Sequence, residues 1–177
     1  MSRIKFSLVL VTFIFCLVSL NTQVVFAEGE AFVGKPTPSF VAKDLDGNEL
    51  NINSYKGKNT VLINFWGLRC GACIDEMPYL NELYDKHKDN GLLILGVNAD
   101  GIDADFLKSP RGMTNLPLKL KYTIIQDPDM KLIDTSQMEA APLNILIDKE
   151  GIVRYYHMGY EPGEEKELFE KVESVIK

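Results

Sequence analysis

Histidine is nearly missing from this chain, with two in 177 residues, and tryptophan occurs once. With only three cysteines beside them, the donors for a multi-ligand metal centre are scarce. Cations are in deficit as well: 19 Lys and Arg against 25 Asp and Glu leave a formal charge of -6. A surface of that sign argues against nucleic acid or anionic lipid as the main partner. There is no internal repeat and no low-complexity tract. The longest apolar stretch, Phe6 to Leu20, is about fifteen residues, short of the roughly twenty that a membrane span needs.

Arg3 and Lys5 precede that stretch, Asn21, Thr22 and Gln23 close it, and Val25-Phe26-Ala27 follows. This is the pattern of a secretory signal peptide, with cleavage expected after Ala27. An uncleaved N-terminal anchor is the rival reading, the only one that ties the protein to a membrane, and both place the remainder outside the cytoplasm. Cys16 lies behind Phe15, where a lipoprotein site would want a small residue, so it reads as apolar filler that leaves with the signal. Residues 28–177, 150 in number, suit one domain with a single core. Loss of Arg3 and Lys5 takes the charge from -6 to -8, because no acid precedes residue 28. Cys70 and Cys73 alone remain, and in an oxidising compartment they can pair with each other or with a partner's sulfur.

Residues 40–45 and 49–52 around Asp46-Gly47 read as a hairpin. Thr60 to Trp66 reads as a buried strand, and Ile74, Met77, Leu80 and Tyr84 recur at helical spacing until Asn90-Gly91, with Pro78 expected to bend that helix. Leu92 to Val97 is a second buried strand, so strand, helix, strand implies a parallel pair with a right-handed crossover. Downstream, residues 103–108 suggest a short helix, 109–122 an irregular stretch, 123–126 a strand and 130–135 a short helix. Leu143 to Ile147 and Ile152 to His157 flank a turn signal as an antiparallel hairpin, and Pro162-Gly163 opens a last helix carrying Leu168, Val172, Val175 and Ile176. The layout is α/β, a central mixed sheet with helices on both faces.

The segment NFWGLRCGACIDEMPYL, Asn64 to Leu80, sets its two cysteines at a strand-to-helix junction. Together with Pro78 and the downstream run Ala-Pro-Leu-Asn-Ile-Leu-Ile-Asp-Lys-Glu-Gly, it resembles the thioredoxin fold. More narrowly it resembles the extracytoplasmic TlpA/ResA-like thiol-disulfide oxidoreductases. That match rests on the export signal, the added N-terminal hairpin, the Glu of CGACIDE, the NFWG run and the 69 positions separating Cys73 from Pro142. The family fills that gap with an extra strand and helix. It covers about residues 34–177.

A thiolate is the nucleophile of such chemistry, and the free N–H groups of a helix N-terminus favour a negative sulfur. Cys70 is therefore expected to be exposed and attacking, Cys73 buried and resolving, with no cofactor beyond their disulfide. The resemblance implies a Glu beside the thiols, here Glu76, able to take the proton of Cys73; a first-turn acid facing water is the alternative. Asn64 stands where many thioredoxins carry a buried Asp, so Glu76 could substitute for it. The resemblance also implies a cis Pro142, with Ala141 offering its backbone to an extended substrate, and an aromatic beneath the site, Trp66, counted here among the substrate-binding residues. Arg69 and Ala141 depart from the family's usual aromatic and Thr.

Competing readings of the cysteines are a copper(I) chaperone, helped by Met158 or His157, a structural disulfide, and a disulfide oxidase or isomerase. Zinc is short of ligands, since His87 lies about 21 Å along the helix from Cys73. His87 is expected to be solvated and His157 to lie on an edge strand, while Phe65, Tyr155, Tyr156 and Phe169 read as core or sheet-face residues. A peroxidase of the peroxiredoxin type would need a Pro and a Thr shortly before the attacking cysteine, and residues 65–69 supply neither. The family implies protein disulfides as substrates, the CxxCH site of apocytochrome c among them, and a membrane thiol donor of the CcdA/DsbD type. Finally, Lys108, Arg111, Lys119 and Lys121 give residues 106–126 four cations and no acid, either a solvated loop or a docking surface for an acidic partner.

Overall fold

Residues 31–176 are described in a computed structural model of the chain. The expected signal, residues 1–27, lies outside them. Among the described residues the strands are β1 (Val41–Asp44), β2 (Glu49–Asn51), β3 (Thr60–Trp66), β4 (Leu92–Asn98), β5 (Thr123–Gln126), β6 (Leu143–Ile147) and β7 (Val153–Met158). The helices are α1 (Gly71–His87), α2 (Ala104–Lys108), α3 (Lys131–Ser136) and α4 (Glu165–Val175). The seven strands form one sheet in the order β2-β1-β5-β4-β3-β6-β7, so it is mixed, and the fold is thioredoxin-like.

The middle of the sheet is where the sequence is most apolar. All seven residues of β3 are buried, because a strand with neighbours on both edges and helices on both faces has no solvent side. It pairs in parallel with β4 from Thr60↔Leu92 to Trp66↔Asn98, and antiparallel with β6 from Val61↔Ile147 to Phe65↔Leu143. Alternate side chains then feed two cores. One joins Leu62, Trp66, Ile94 and Leu146 to Met77, Leu80 and Leu83 of α1, Leu107 of α2, and Leu168 and Val172 of α4. The other joins Val61, Ile63, Phe65, Val97 and Ile145 to Leu132 of α3 and Ile52 of a 3-10 turn at Ile52–Tyr55. Met77, Leu80 and Leu83 are each 0 % exposed, and burials of that kind stabilise by roughly 1.5–3 kcal/mol apiece.

The N-terminal hairpin is added at one end, β1 pairing antiparallel with β2 and with β5 through Lys43↔Gln126 and Asp44↔Ile125. Between β4 and β6 the chain carries α2, a 3-10 turn at Met113–Asn115, β5 and α3. His157 lies on β7, the edge strand at the other end, as the apolar pattern indicated. Phe65 and Tyr155 are core residues, and Tyr156 stacks on Phe32 with ring centroids 5.6 Å apart.

His87 corrects an expectation. It closes α1 at 8 % exposure, with Nε2 3.7 Å from Glu173 Oε1 of α4, instead of facing water. Residue 87 falls two helical turns beyond the buried Leu80 and one beyond Leu83, so α4 packs over it.

Candidate active site

Cys70 sits between β3 and α1 with extended backbone, φ -89 and ψ 104, and is the N-cap of the helix. Its Sγ takes the place of a capping oxygen, accepting the Cys73 N–H at 3.2 Å. The two sulfurs are bonded at 2.08 Å. Cys73, inside the first turn, is 1 % exposed, whereas Cys70 is half-buried. Reduction would leave at Cys70 a sulfur already aimed at the open end of the helix, where backbone donors and the helix dipole favour negative charge.

The Ala141-Pro142 bond is cis. The Ala141 carbonyl oxygen lies 3.6 Å from Cys70 Sγ, and Pro142 leads into β6. The chain order Cys70, Cys73, Pro142 thus becomes one cluster because β3 and β6 are neighbours. Ala141 is partly exposed beside the sulfur, while Pro142 is buried.

Glu76 is 3 % exposed, which excludes the water-facing alternative. Its carboxylate is held by two amides: Asn64 donates Nδ2 to Oε2 at 3.1 Å, and Asn144 donates Nδ2 to Oε1 at 2.5 Å. Asn64 Nδ2 also donates to Asn144 Oδ1 at 3.0 Å, closing a ring of three side chains. The ring follows from register, since Asn64 of β3 stands opposite Asn144 of β6 and α1 crosses that face. Burial pushes the Glu76 carboxyl up to about 7, the amide donors of Asn144 and Asn64 oppose the rise, and the charge of Glu164 adds to it. The carboxyl therefore changes protonation near neutral pH, as a proton acceptor for a thiol must. Tyr122 is buried, and its phenol is pushed up, first by burial and then by the charge of Glu76; its hydroxyl has no hydrogen-bond partner among the described residues.

Trp66 requires a correction. It is 0 % exposed and packs in the core that includes Cys73, so its indole supports the site from below and offers no surface to a substrate. The cause is its place as the last residue of a strand buried on both faces. Arg69, by contrast, is exposed in the turn just before Cys70.

Two parts of the site escaped the sequence reading. Asn144 is one, although a single Asn in the apolar run LNILI, matched by another in TVLINFW, is an available signal. Asp100 is the other: its Oδ2 accepts the Leu68 N–H at 2.8 Å and Asn98 Nδ2 at 2.9 Å, fixing the loop that carries the cysteines. A Cβ on Gly67 would come 3.0 Å from Asp100 Oδ1, so the glycine permits that approach.

Donors for a metal do not gather here. Among the described residues no group of three or more His, Cys, Asp and Glu could hold one, and His157 faces Glu164 at 3.4 Å while Met158 Sδ accepts the Glu139 N–H at 3.5 Å.

The model of the AhpC/TSA family matches residues 33–156. The thiol-disulfide oxidoreductase ResA of Bacillus anthracis is 37 % identical over 147 residues, covering 82 % of each chain. The chain belongs to this family of ResA-like thiol-disulfide oxidoreductases. ResA of Bacillus cereus is 38 % identical over 132 residues, covering 72 % of this chain and 71 % of its own. Among solved structures, the thioredoxin domain of a thiol-disulfide oxidoreductase of Bacteroides vulgatus superposes with a TM-score of 0.65 at 28 % identity, covering 82 % of this chain and 98 % of that domain. As a thiol-disulfide oxidoreductase, the chain needs a reversible dithiol and a route for protons, and Cys70 stands at the N-cap of the helix whose first two turns carry Cys73 and Glu76.

Proposed function

We propose that the protein works outside the cytoplasm as a reductase of protein disulfides. The observation that carries the reading is Glu76, a buried carboxyl three residues after Cys73 and clamped by two amides. The Cys70 thiolate attacks one sulfur of the substrate disulfide, and the other leaves as a thiolate that water protonates. Cys73 then gives its proton to the Glu76 carboxylate and attacks Cys70 Sγ, breaking the mixed disulfide and releasing the second substrate thiolate. Two electrons have passed to the substrate, and Cys70-Cys73 is oxidised.

Direction follows from charge. An ionised Glu76 near Cys73 disfavours thiolate, and Gly71-Ala72 adds no cation to stabilise one. A less stabilised dithiol is the better electron donor, so the potential should lie toward the thioredoxin end, on the order of -230 mV or below. Re-reduction then needs a donor outside the cytoplasm, and a membrane thiol carrier of the CcdA/DsbD type fits that need. Oxidised CxxCH sites of apocytochrome c are the substrate class favoured by the resemblance to ResA.

Equilibration with a dithiothreitol redox buffer, read by alkylation of Cys70, tests the direction. A potential above about -160 mV, near that of the oxidant DsbA, would sink the reductase reading.

A further inference from the structure

A groove of about 400 Å³ opens at the turn that leads into Cys70, its lining including Leu68, Arg69, Ile74, Asp100, Phe106 and Arg111. Its walls come from four places: the turn before α1, the first turn of α1, the loop between β4 and α2, and α2 with the turn that follows it. Arg111 reaches it because residue 112 is glycine. A Cβ there would stand 2.3 Å from the Leu107 carbonyl oxygen and 2.4 Å from that of Phe106, so only glycine lets the 109–112 turn lie against the end of α2.

The basic stretch, residues 106–126, is divided by the fold. Lys108 donates to the Leu45 carbonyl at 2.6 Å, and Lys121 is paired with Asp85. Arg111 has no ion pair or side-chain hydrogen bond among the described residues, and neither has Arg69. Both are exposed and both line the groove, Arg69 directly before Cys70 in the chain. Asp100 also lines the groove, its carboxylate accepting from the Leu68 N–H and from Asn98 Nδ2, while Asp103 caps α2 through the Phe106 N–H at 2.8 Å, so two guanidiniums face one carboxylate in the lining. Phe106, 42 % exposed, is one of four large apolar side chains left open on the surface among the described residues. Two unpaired guanidiniums and an open aromatic ring at one groove, in a chain of charge -6, form a site for an anionic group next to an apolar one.

We propose that this groove binds the polypeptide around the target cysteine of the substrate and selects segments with an Asp or Glu close to that cysteine, beside an apolar side chain that covers Phe106. The assignment rests on the thiol-disulfide exchange reading and adds a substrate preference to it. The guanidiniums are solvent-exposed, so each contributes modestly, and the pair together should favour an acidic over a neutral segment about fivefold at low ionic strength.

The test measures the second-order rate at which pre-reduced protein is oxidised by three peptides sharing one intramolecular disulfide, flanked by Glu, Gln or Lys. Bis(2-hydroxyethyl) disulfide serves as a small neutral oxidant. The expected order is Glu, then Gln, then Lys, with the spread shrinking in about 0.5 M salt. Arg69→Glu with Arg111→Glu should invert the order, and Arg69→Gln with Arg111→Gln should level it. Equal rates for the three peptides in the unaltered protein, or an unchanged order in the double Glu variant, would overturn the assignment while leaving exchange chemistry standing. Failure of the unaltered protein to react with any of the four disulfides would overturn the exchange reading, and this preference with it.

Discussion

The two sides of the Cys70-Cys73 pair handle charge in opposite ways. On the inner side a single carboxylate, Glu76, is sealed in the core, and the fold surrounds it with two amide donors that have no other carboxylate to serve. On the outer side two guanidiniums, Arg69 and Arg111, stand in water without an ion pair among the described residues. The inner charge is strong because desolvation magnifies every change around it, and it acts on the proton and electron balance of the thiols. The outer charges are weak and screened, and they can act only on which partner stays long enough to react. Chemistry and choice of partner are thus separated by burial.

The comparison breaks most completely at the sulfurs. Cys70→Ser should abolish turnover, and Cys73→Ser should accumulate a mixed disulfide through Cys70, because the attacking thiol remains and the resolving one is gone. A non-reducing gel with a disulfide substrate checks this; capture by Cys70→Ser in place of Cys73→Ser would reverse the assigned roles.

The inner side should show in stability. The carboxyl of Glu76 stands at about 7 in the folded protein against an ordinary 4.5, so between those values the native state holds a proton that the unfolded chain releases. Below about 4.5 both states are protonated and there is no penalty. Stability should then fall as pH rises toward 7, by on the order of 3 kcal/mol, and level off above. Urea unfolding of the oxidised protein at pH 5 and pH 8 measures it, with Glu76→Gln as reference. Its stability relative to the parent should rise between the two; a constant difference would mean that Glu76 is not shifted.

A smaller effect isolates the clamp. Asn144→Leu removes the donor to Glu76 Oε1 and should cost about 1–3 kcal/mol, raising the Glu76 pKa further. With Glu76 neutral over a wider range it repels a forming thiolate less, so the pH midpoint of Cys70 alkylation should move to the acid side, which a purely structural role would not produce. Smallest is a control away from both sides: Lys121→Ala breaks an exposed pair with Asp85 and should leave stability almost unchanged, with the peptide preference intact. A change in that preference would spread the outer field beyond the groove.

Much of the centre of the molecule was legible from residues alone. Thr60 to Trp66 could be assigned because seven residues with no turn signal admit few alternatives, and the helix after Cys70 because its apolar spacing repeats over four turns. The helix of His87 was found, but its burial was not, since the covering helix α4 comes some eighty residues later. Trp66 was placed in the right strand and beneath the site; only its counting among the substrate-binding residues fails, because periodicity assigns a face and says nothing of what covers it.

The sequence by itself determined the local elements, the spacing that puts two cysteines on one helical turn, and a shortage of histidine that leaves metal chemistry few donors. These depend on neighbours in the chain, through backbone geometry and side-chain type. Only the tertiary structure decided that Asn64 and Asn144 meet across β3 and β6 to hold Glu76, and that Arg111 comes beside Arg69 while Lys121 is taken by Asp85. Those contacts depend on strand register, on a glycine that permits close approach at residue 112, and on the removal of water from one side of the sulfurs, none of which local sequence encodes.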